Sequence, residues 1–210
     1  RPGPGGEAAS TPDVAQPATQ FIGRVAVVQP ALDDVLDAGA RVEVLSSGYA
    51  WSEGPMWVSS EVGLLFSDVP GNTIYRWHAD TGTTAWLRPS GYTGSEPRGG
   101  GMGSNGLTLD ADGRLVLAQH GDRRIARLAT PPKARVSVPG GAPAFETVVG
   151  DYEGRAFNSP NDLVYGPDGS LYFTDPTYGL ASPDAAELDF AGVYRLSPGG
   201  ELTLIDATLT

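Results

Sequence analysis

Short apolar runs, broken at close intervals by glycine, proline and asparagine, dominate the chain from about residue 40 onward. Runs of this length, bounded by turn residues, are typical of β-strands rather than of packed helices. The clearest are LLFSD at 64–68, LVLAQ at 115–119 and LYFTD at 171–175. A single segment, PALDDVLDAG at 30–39, has a helical pattern, and it is only a turn or two long. The pattern predicts an all-β protein.

The strand pattern occurs three times. The three copies begin at Glu53-Gly54, Asn105-Gly106 and Asn161-Asp162, so their starts lie 52 and 56 residues apart. A further strand-like run closes each copy, at 83–87, 145–149 and 202–205. Asp112-Gly113 and Asp168-Gly169 supply the turns that hairpins favour. Four short antiparallel strands in each copy predict the four-stranded blades of a β-propeller.

The number of copies bears on domain organisation. Propellers have about four to eight blades, so three cannot close a ring. We therefore expect residues 21–210 to be the N-terminal half of a β-propeller domain, with three blades of six starting near 53, 105 and 161. The segment 42–45 resembles the closing strands and is a candidate outer strand for the last blade. Residues 1–20, rich in Pro, Gly and Ala, are expected to be a disordered tail or linker.

An incomplete ring also predicts an uncovered surface. Blades pack face to face, so a terminal blade exposes an apolar face. We expect that face to carry residues such as Val116, Leu171 and Phe173. Self-association, in which two three-bladed chains form one six-bladed ring, is an alternative to a longer chain.

Composition narrows the classes of function. The 210 residues carry a formal net charge of −11 and include 29 Gly, 18 Pro and no Cys. The Gly and Pro content disfavours a helix bundle, and the acidic balance argues against nucleic acid as a partner. No apolar run approaches the roughly 18 residues of a membrane span. The start reads as a linker left after removal of a signal peptide, which favours a periplasmic or secreted protein; the alternative is a cytoplasmic one.

Polar residues at the starts of the three inner strands suggest a cation site. In a propeller the inner strands line the central channel, so Glu53, Asn105 and Asn161 would point toward one axis. One carboxylate and two amide oxygens suit a hard cation such as Ca²⁺, whereas Zn²⁺ prefers His or Cys. Alternatively, the asparagines form turns and Glu53 is a solvated charge at the rim.

The same segments carry a family resemblance. SEGPMW at 52–57, GSNGLTLDADGRLVLAQHGDRRIARL at 103–128 and NSPNDLVYGPDGSLYFTDPTYGL at 158–180 resemble the gluconolactonase and senescence-marker-protein (regucalcin) family. The resemblance covers about residues 40–205. It implies a six-bladed propeller lactonase or esterase with one divalent cation in its channel. That cation would be Ca²⁺, or another divalent ion such as Zn²⁺, Mg²⁺ or Mn²⁺.

The resemblance assigns expected roles to matching positions. It makes Glu53 and Asn161 metal ligands, and it places Asn105 and His120 in the substrate pocket. His120 can act as a general base or as a supporting hydrogen-bonding residue, and Asp162 can act beside the cation or contact substrate. We therefore take His120 and Asp162 as the catalytic candidates. The family's remaining metal ligands, and the aspartate usually identified as the base, match no position here.

The remaining candidates lie in loops. The glycine-rich stretch 91–104 is expected to be a mobile lid whose Tyr92, Glu96 and Arg98 contact substrate. Tyr178, in the third copy, is a further expected substrate contact. Asp68 and Asp175 end equivalent strands and are best explained as caps of the turns there.

Together these observations predict a divalent-cation-dependent lactone hydrolase. The cation would polarise the lactone carbonyl for attack by water. The expected partner is a small-molecule lactone or sugar acid. The alternatives are hydrolysis of another ester or an organophosphate at the same site, or a non-catalytic propeller that binds sugars or a protein.

Overall fold

Two units make up the chain, residues 1–47 and 48–210, in a computed structural model that describes residues 19–37, 39–132 and 143–209. In the first unit, β1 (Gln20–Ile22) pairs antiparallel with β2 (Val42–Val44). The candidate outer strand at 42–45 is therefore a strand, and its partner in the structure is β1. Nearly all of the expected tail, residues 1–18, lies outside the described residues.

The second unit contains three four-stranded antiparallel sheets, each built from strands consecutive in the chain. Blade 1 comprises β3 (Ser52–Ser59), β4 (Gly63–Asp68), β5 (Thr73–His78) and β6 (Gly82–Leu87). Blade 2 comprises β7 (Ser104–Leu109), β8 (Leu115–Gln119), β9 (Arg124–Leu128) and β10 (Phe145–Val149). A hairpin of β11 (Asp151–Tyr152) and β12 (Arg155–Ala156) follows. Blade 3 comprises β13 (Leu163–Tyr165), β14 (Leu171–Asp175), β15 (Ala191–Leu196) and β16 (Leu202–Leu209). The all-β prediction of three four-stranded blades is confirmed.

Helical structure in the described residues is short. The segment expected to be helical, 30–39, forms a 3-10 helix only at Pro30–Asp34, and none of its residues is buried. Without an apolar face to pack, so short a segment cannot sustain a longer helix. A second 3-10 helix spans Pro183–Ala185. Within the described ranges, no helix has the length and apolar character needed to cross a membrane.

Two hydrophobic cores join the blades. One is formed by blades 1 and 2 and includes Leu65, Ile74 and Leu117, all fully buried. The other is formed by blades 2 and 3 and includes Val116 and Phe173. Successive side chains of a strand point to opposite faces of the sheet, so neighbouring residues of β8 serve different cores. The central blade is thus covered on both faces.

The expectation about the uncovered face is wrong for the residues it named. Val116, Leu171 and Phe173 are 0%, 2% and 2% exposed, because all three lie in the core between blades 2 and 3. Leu171 and Phe173 share the face of β14 that meets blade 2. The opposite face of blade 3 does carry exposed apolar residues, but they are different ones, including Val164 on β13 and Ile205 on β16.

Candidate active site at the inner ends of the blades

The first residues of the three inner strands, β3, β7 and β13, lie against one another. The backbone N–H of Gly106 donates to the carbonyl of Asn161 at 2.7 Å. A Cβ placed on Gly54 would overlap the carbonyl oxygen of Asn105. Gly54 also has a φ of 57°, a conformation that glycine adopts without strain. The chain thus brings Glu53, Asn105 and Asn161, each beside one of these contacts, to one end of the blades.

The three proposed cation-facing residues differ in their surroundings. Glu53 is half-buried, and its Oε1 accepts a hydrogen bond from Nε1 of Trp51 at 2.9 Å. Asn105 is 3% exposed, and its Nδ2 has no hydrogen-bond partner among the described residues. Asn161 is half-buried, and its backbone N–H donates to the carbonyl of Thr174. One carboxylate and two side-chain amides offer oxygen ligands of the kind that a hard divalent cation takes.

This donor set is incomplete as a metal site. Within the described part of the chain, no group of three or more His, Asp or Glu residues is placed to hold a metal ion. Glu53 supplies the one carboxylate of the set, and Ca²⁺ takes six to eight oxygen ligands.

His120 is a fully buried imidazole beside Asn161. It follows β8 directly, and its Nε2 lies 3.5 Å from Nδ2 of Asn161. An amide N–H can donate only to an unprotonated ring nitrogen, so with the amide oriented in this way the lone pair is on Nε2. Burial, and secondarily the positive charge of Arg98, lower the pKa of His120 to about 4. The ring is therefore neutral at physiological pH.

The glycine-rich stretch 91–104 covers this histidine and is attached at several points. Thr93 donates from its N–H and its hydroxyl to the carboxylate of Asp122, at 3.0 and 2.6 Å. Arg98 donates from its guanidinium to the carbonyl of His120 at 3.2 Å. Burial and the neighbouring Arg123 lower the pKa of Arg98. The Tyr92 hydroxyl donates to the carbonyl of Glu96, so these two expected substrate contacts engage each other.

Asp162 and Tyr178 are both exposed. Asp162 Oδ1 accepts the backbone N–H of Leu163 at 2.9 Å, so it caps the start of β13. The same atom lies against Gly106 of β7, where an added Cβ would meet it at 2.6 Å. Tyr178 is 67% exposed and lines an open cleft of about 640 Å³ on blade 3, together with Asn161 and Asp175. The structure thus groups Glu53, Asn105, His120 and Asn161 at the inner strand ends, with Arg98 beside them. Asp162 lies next to this cluster, and Tyr178 lines the cleft that Asn161 also lines.

Asp68 and Asp175 cap equivalent turns. Asp68 Oδ1 accepts the backbone N–H of Trp51 at 3.2 Å. Asp175 accepts the backbone N–H groups of Asn158 and Ser159 at 2.8 and 2.7 Å. Burial raises the pKa of Asp175 to about 7, although these hydrogen bonds and the charge of Arg123 act in the opposite direction. The capping role expected from the sequence is present in both blades.

Asn72 is a structural residue of the site that the sequence reasoning missed. Its Oδ1 accepts backbone N–H groups from Ser90, Gly91 and Tyr92, and its Nδ2 donates to the carbonyl of Tyr92. It therefore holds the start of the glycine-rich stretch. Its φ is 49°, a left-handed conformation in which Asn is enriched. The available signal was the Gly-Asn pair in the turn that follows β4.

Comparison with known proteins agrees with this architecture. The structure of the gluconolactonase of Xanthomonas campestris superposes with a TM-score of 0.69 at 30% identity, over 92% of this chain and 61% of that one. A luciferin-regenerating enzyme shares the fold, with a TM-score of 0.52 at 19% identity, over 79% of this chain and 48% of that one. The three sheets are therefore blades of a β-propeller.

Sequence comparison identifies the family. The pattern of the SMP-30/gluconolactonase/LRE-like region matches residues 51–210, and the chain belongs to this family. The gluconolactonase of Zymomonas mobilis subsp. mobilis is 40% identical over 194 residues, which are 90% of this chain and 52% of that protein. The chain thus spans about half the length of the curated relative it matches.

Proposed function

We propose that the protein hydrolyses a sugar lactone with the help of a divalent cation, Ca²⁺ or another ion such as Mg²⁺, Mn²⁺ or Zn²⁺. The observation that carries the proposal is the convergence of Glu53, Asn105, His120 and Asn161 at the inner strand ends of a chain from this family. Two relatives of this chain are described as gluconolactonases, which supports a lactone as substrate.

Each residue of the cluster has a proposed role. Glu53 and Asn161 would hold the cation through carboxylate and amide oxygens, and Asn105 would line the pocket next to it. A cation bound there supplies positive charge next to the lactone carbonyl, which favours negative charge on that oxygen. Asp162, which caps β13 beside Asn161, would lie next to the ligands of the cation without binding the cation itself.

His120 would take part in proton transfer. The imidazole is neutral, and its Nε2 lone pair faces Nδ2 of Asn161. Once Asn161 turns its amide oxygen toward the cation, Nε2 would be free to accept a proton from an attacking water molecule. Arg98, which donates to the carbonyl of the same residue, would supply positive charge for the product carboxylate. Tyr178, exposed at the rim, would contact the sugar.

The cluster would be completed by other residues. The chain spans about half the length of its relatives, and the donor set contains one carboxylate. We propose that the active assembly joins these three blades to further ones, on the same polypeptide or on a second copy. The activity is therefore assigned to the intact protein that contains this chain.

The test is hydrolysis of glucono-1,5-lactone by the intact protein, followed by acid release, before and after treatment with a chelator. We expect activity that the chelator abolishes and that added Ca²⁺ or another divalent ion restores. Activity that is unchanged after treatment with the chelator would disprove the role of the cation. Hydrolysis of aryl esters or organophosphates without lactone turnover would favour the alternative substrates, and sugar binding without turnover would indicate a non-catalytic propeller.

Glu53→Gln tests the ligand assignment. The amide keeps the shape but removes the charge, so we expect metal affinity and activity to fall together, by about tenfold or more. Glu61→Gln, an exposed residue in the turn after β3, is the matched control and should change neither. Unchanged metal affinity in the Glu53 variant would show that this residue is a rim charge.

A further inference from the structure

Two glycines from different blades enclose the imidazole of His120. A Cβ placed on Gly101 would lie 2.8 Å from Nδ1 of His120, and one placed on Gly179 would lie 2.7 Å from the same atom. The ring therefore occupies the space that a side chain at either position would need. Nδ1 has no hydrogen-bond partner among the described residues. The Cβ of Ser159 lies on the same side of the ring, 2.7 Å from the position of a Cβ on Gly179.

Hydrogen bonds connect the two glycines to each other and to blade 3. The N–H of Gly101 donates to the carbonyl of Gly179 at 3.0 Å. The N–H of Gly179 donates to the hydroxyl of Ser159 at 2.8 Å, and the N–H of Ser159 donates to Asp175. The glycine-rich stretch is thereby joined to the buried carboxyl at the end of β14. Gly179 is therefore held through its carbonyl by Gly101 and through its N–H by Ser159.

The backbone of His120 is bound to the same stretch. Its N–H donates to the carbonyl of Gly103 at 3.1 Å, and its carbonyl accepts the guanidinium of Arg98. Main chain and side chain of His120 are therefore both held by the segment 98–103. The Nε2 edge of the ring faces Asn161.

We propose that Gly101 and Gly179 are positioning residues, which close on the imidazole of His120 from two blades and direct its Nε2 toward Asn161. The inference rests on the function proposed above, because it assigns to His120 the orientation that proton transfer at the inner strand ends requires. The hydrogen bond between Gly101 and Gly179 is then the contact that closes the glycine-rich stretch over blade 3. Neither glycine acts on substrate directly.

Alanine at Gly101 is the more selective probe. Neither glycine has a positive φ, so the backbone admits alanine at both positions. At Gly101 the first atom that the methyl group meets is Nδ1 of His120, whereas at Gly179 the methyl group meets Cβ of Ser159 at the same 2.7 Å as the ring. Gly150→Ala is the matched control, because a Cβ there meets only Thr147, at 3.6 Å, and φ is again not positive.

The first readout is chemical and independent of catalysis. Diethyl pyrocarbonate modifies accessible neutral imidazoles, and peptide mass spectrometry separates His120 from His78. In the intact protein we expect His120 to react slowly, and in Gly101→Ala and Gly179→Ala we expect its rate to rise about tenfold as the buried ring is displaced. His78 in the same sample and the Gly150 variant should show no change. Equal protection of His120 in all variants would overturn the proposal.

The second readout is lactone hydrolysis. In both alanine variants kcat should fall while KM changes little, because the lost orientation affects proton transfer more than binding. A more reactive His120 with an unchanged kcat would overturn the positioning role in hydrolysis. If the unaltered protein hydrolyses no lactone but the reactivity pattern holds, the proposed function fails and the enclosure of His120 stands.

A measurement on the unaltered protein covers the case in which both variants fail to fold. The amide of Gly101 is bonded to Gly179, so its hydrogen exchange should be slow for a residue in a long glycine-rich stretch. Exchange as fast as that of an unprotected amide would show that the contact does not form, and it would overturn the proposal.

Discussion

Neighbouring residues of β8 should stabilise different blade interfaces, which predicts opposite regional effects for two adjacent substitutions. Leu117 is fully buried in the core between blades 1 and 2, and Val116 is fully buried in the core between blades 2 and 3. Leu117→Ala should therefore loosen blade 1, and Val116→Ala should loosen blade 3.

The magnitudes follow from the volume removed. Replacing leucine by alanine at a fully buried position lowers the free energy of unfolding by about 2–5 kcal/mol. The cost of the cavity left behind adds to the loss of favourable transfer free energy. Valine to alanine removes two methyl groups, which by transfer alone costs about 1.6 kcal/mol. For a protein of this size, where 1 kcal/mol shifts Tm by about 2–4 °C, the leucine variant should lower Tm by about 4–20 °C. Thr84→Ala, at an exposed position of β6, is the control and should stay within about 0.5 kcal/mol.

The assay combines urea unfolding with hydrogen exchange read by mass spectrometry. We expect exchange in β3–β6 to accelerate more than exchange in β13–β16 in the Leu117 variant, and the reverse in the Val116 variant. Equal acceleration in all three blades, or a loss below about 1 kcal/mol for Leu117→Ala, would refute the assignment of separate interfaces.

Three further predictions concern the turns and strand contacts around the site. Gly54→Ala should cost at least about 1–2 kcal/mol in urea unfolding, because of its left-handed backbone, and more because its Cβ would meet the carbonyl of Asn105. Asp68→Ala should lower stability by about 1–3 kcal/mol in thermal melts by removing the acceptor for the N–H of Trp51, and Asp68→Asn should cost less. Burial raises the pKa of Asp175 from 3.8 to about 7, so the folded state holds its proton to higher pH than the unfolded state does. Its contribution to stability should therefore fall as pH rises from about 4 through 7, and Asp175→Asn should flatten that dependence in urea titrations at pH 5 and 8.

Strand positions could be predicted closely from the sequence because each blade strand is a short apolar run between turn residues. β8, β10 and β14 have the predicted bounds, 115–119, 145–149 and 171–175. The closing strand of blade 3 is longer than predicted and reaches Leu209, since strand pairing with β15 continues past the apolar run. The hairpin of β11 and β12 was not predicted from the sequence. In the structure its tight turn is formed by Glu153 and Gly154, both of which have positive φ values.

The contents of the site were only partly predictable. The equivalent starts of the three copies identify Glu53, Asn105 and Asn161 as neighbours, because repetition alone places them on adjacent inner strands. The enclosure of His120 could not be predicted, since it depends on Gly101 and Gly179, which come from different copies and share no pattern. Glycine in a sequence signals freedom of the backbone but does not say which side chain fills the space beside it.

Two of the site residues, Glu53 and Asn105, lie where the pairing of the inner strands is irregular, and this explains why polar side chains occur there. Pairing of β3 with β4 shifts register between Glu53 and Met56, and pairing of β7 with β8 shifts between Ser104 and Leu107. Such irregularities re-aim side chains, so polar residues at the inner ends leave the alternation that the cores require. The cores are formed further along the strands, by residues such as Leu117 and Phe173. Hydrophobic packing between the blades therefore relies on positions further along the strands, which leaves the inner ends to backbone contacts and to polar side chains.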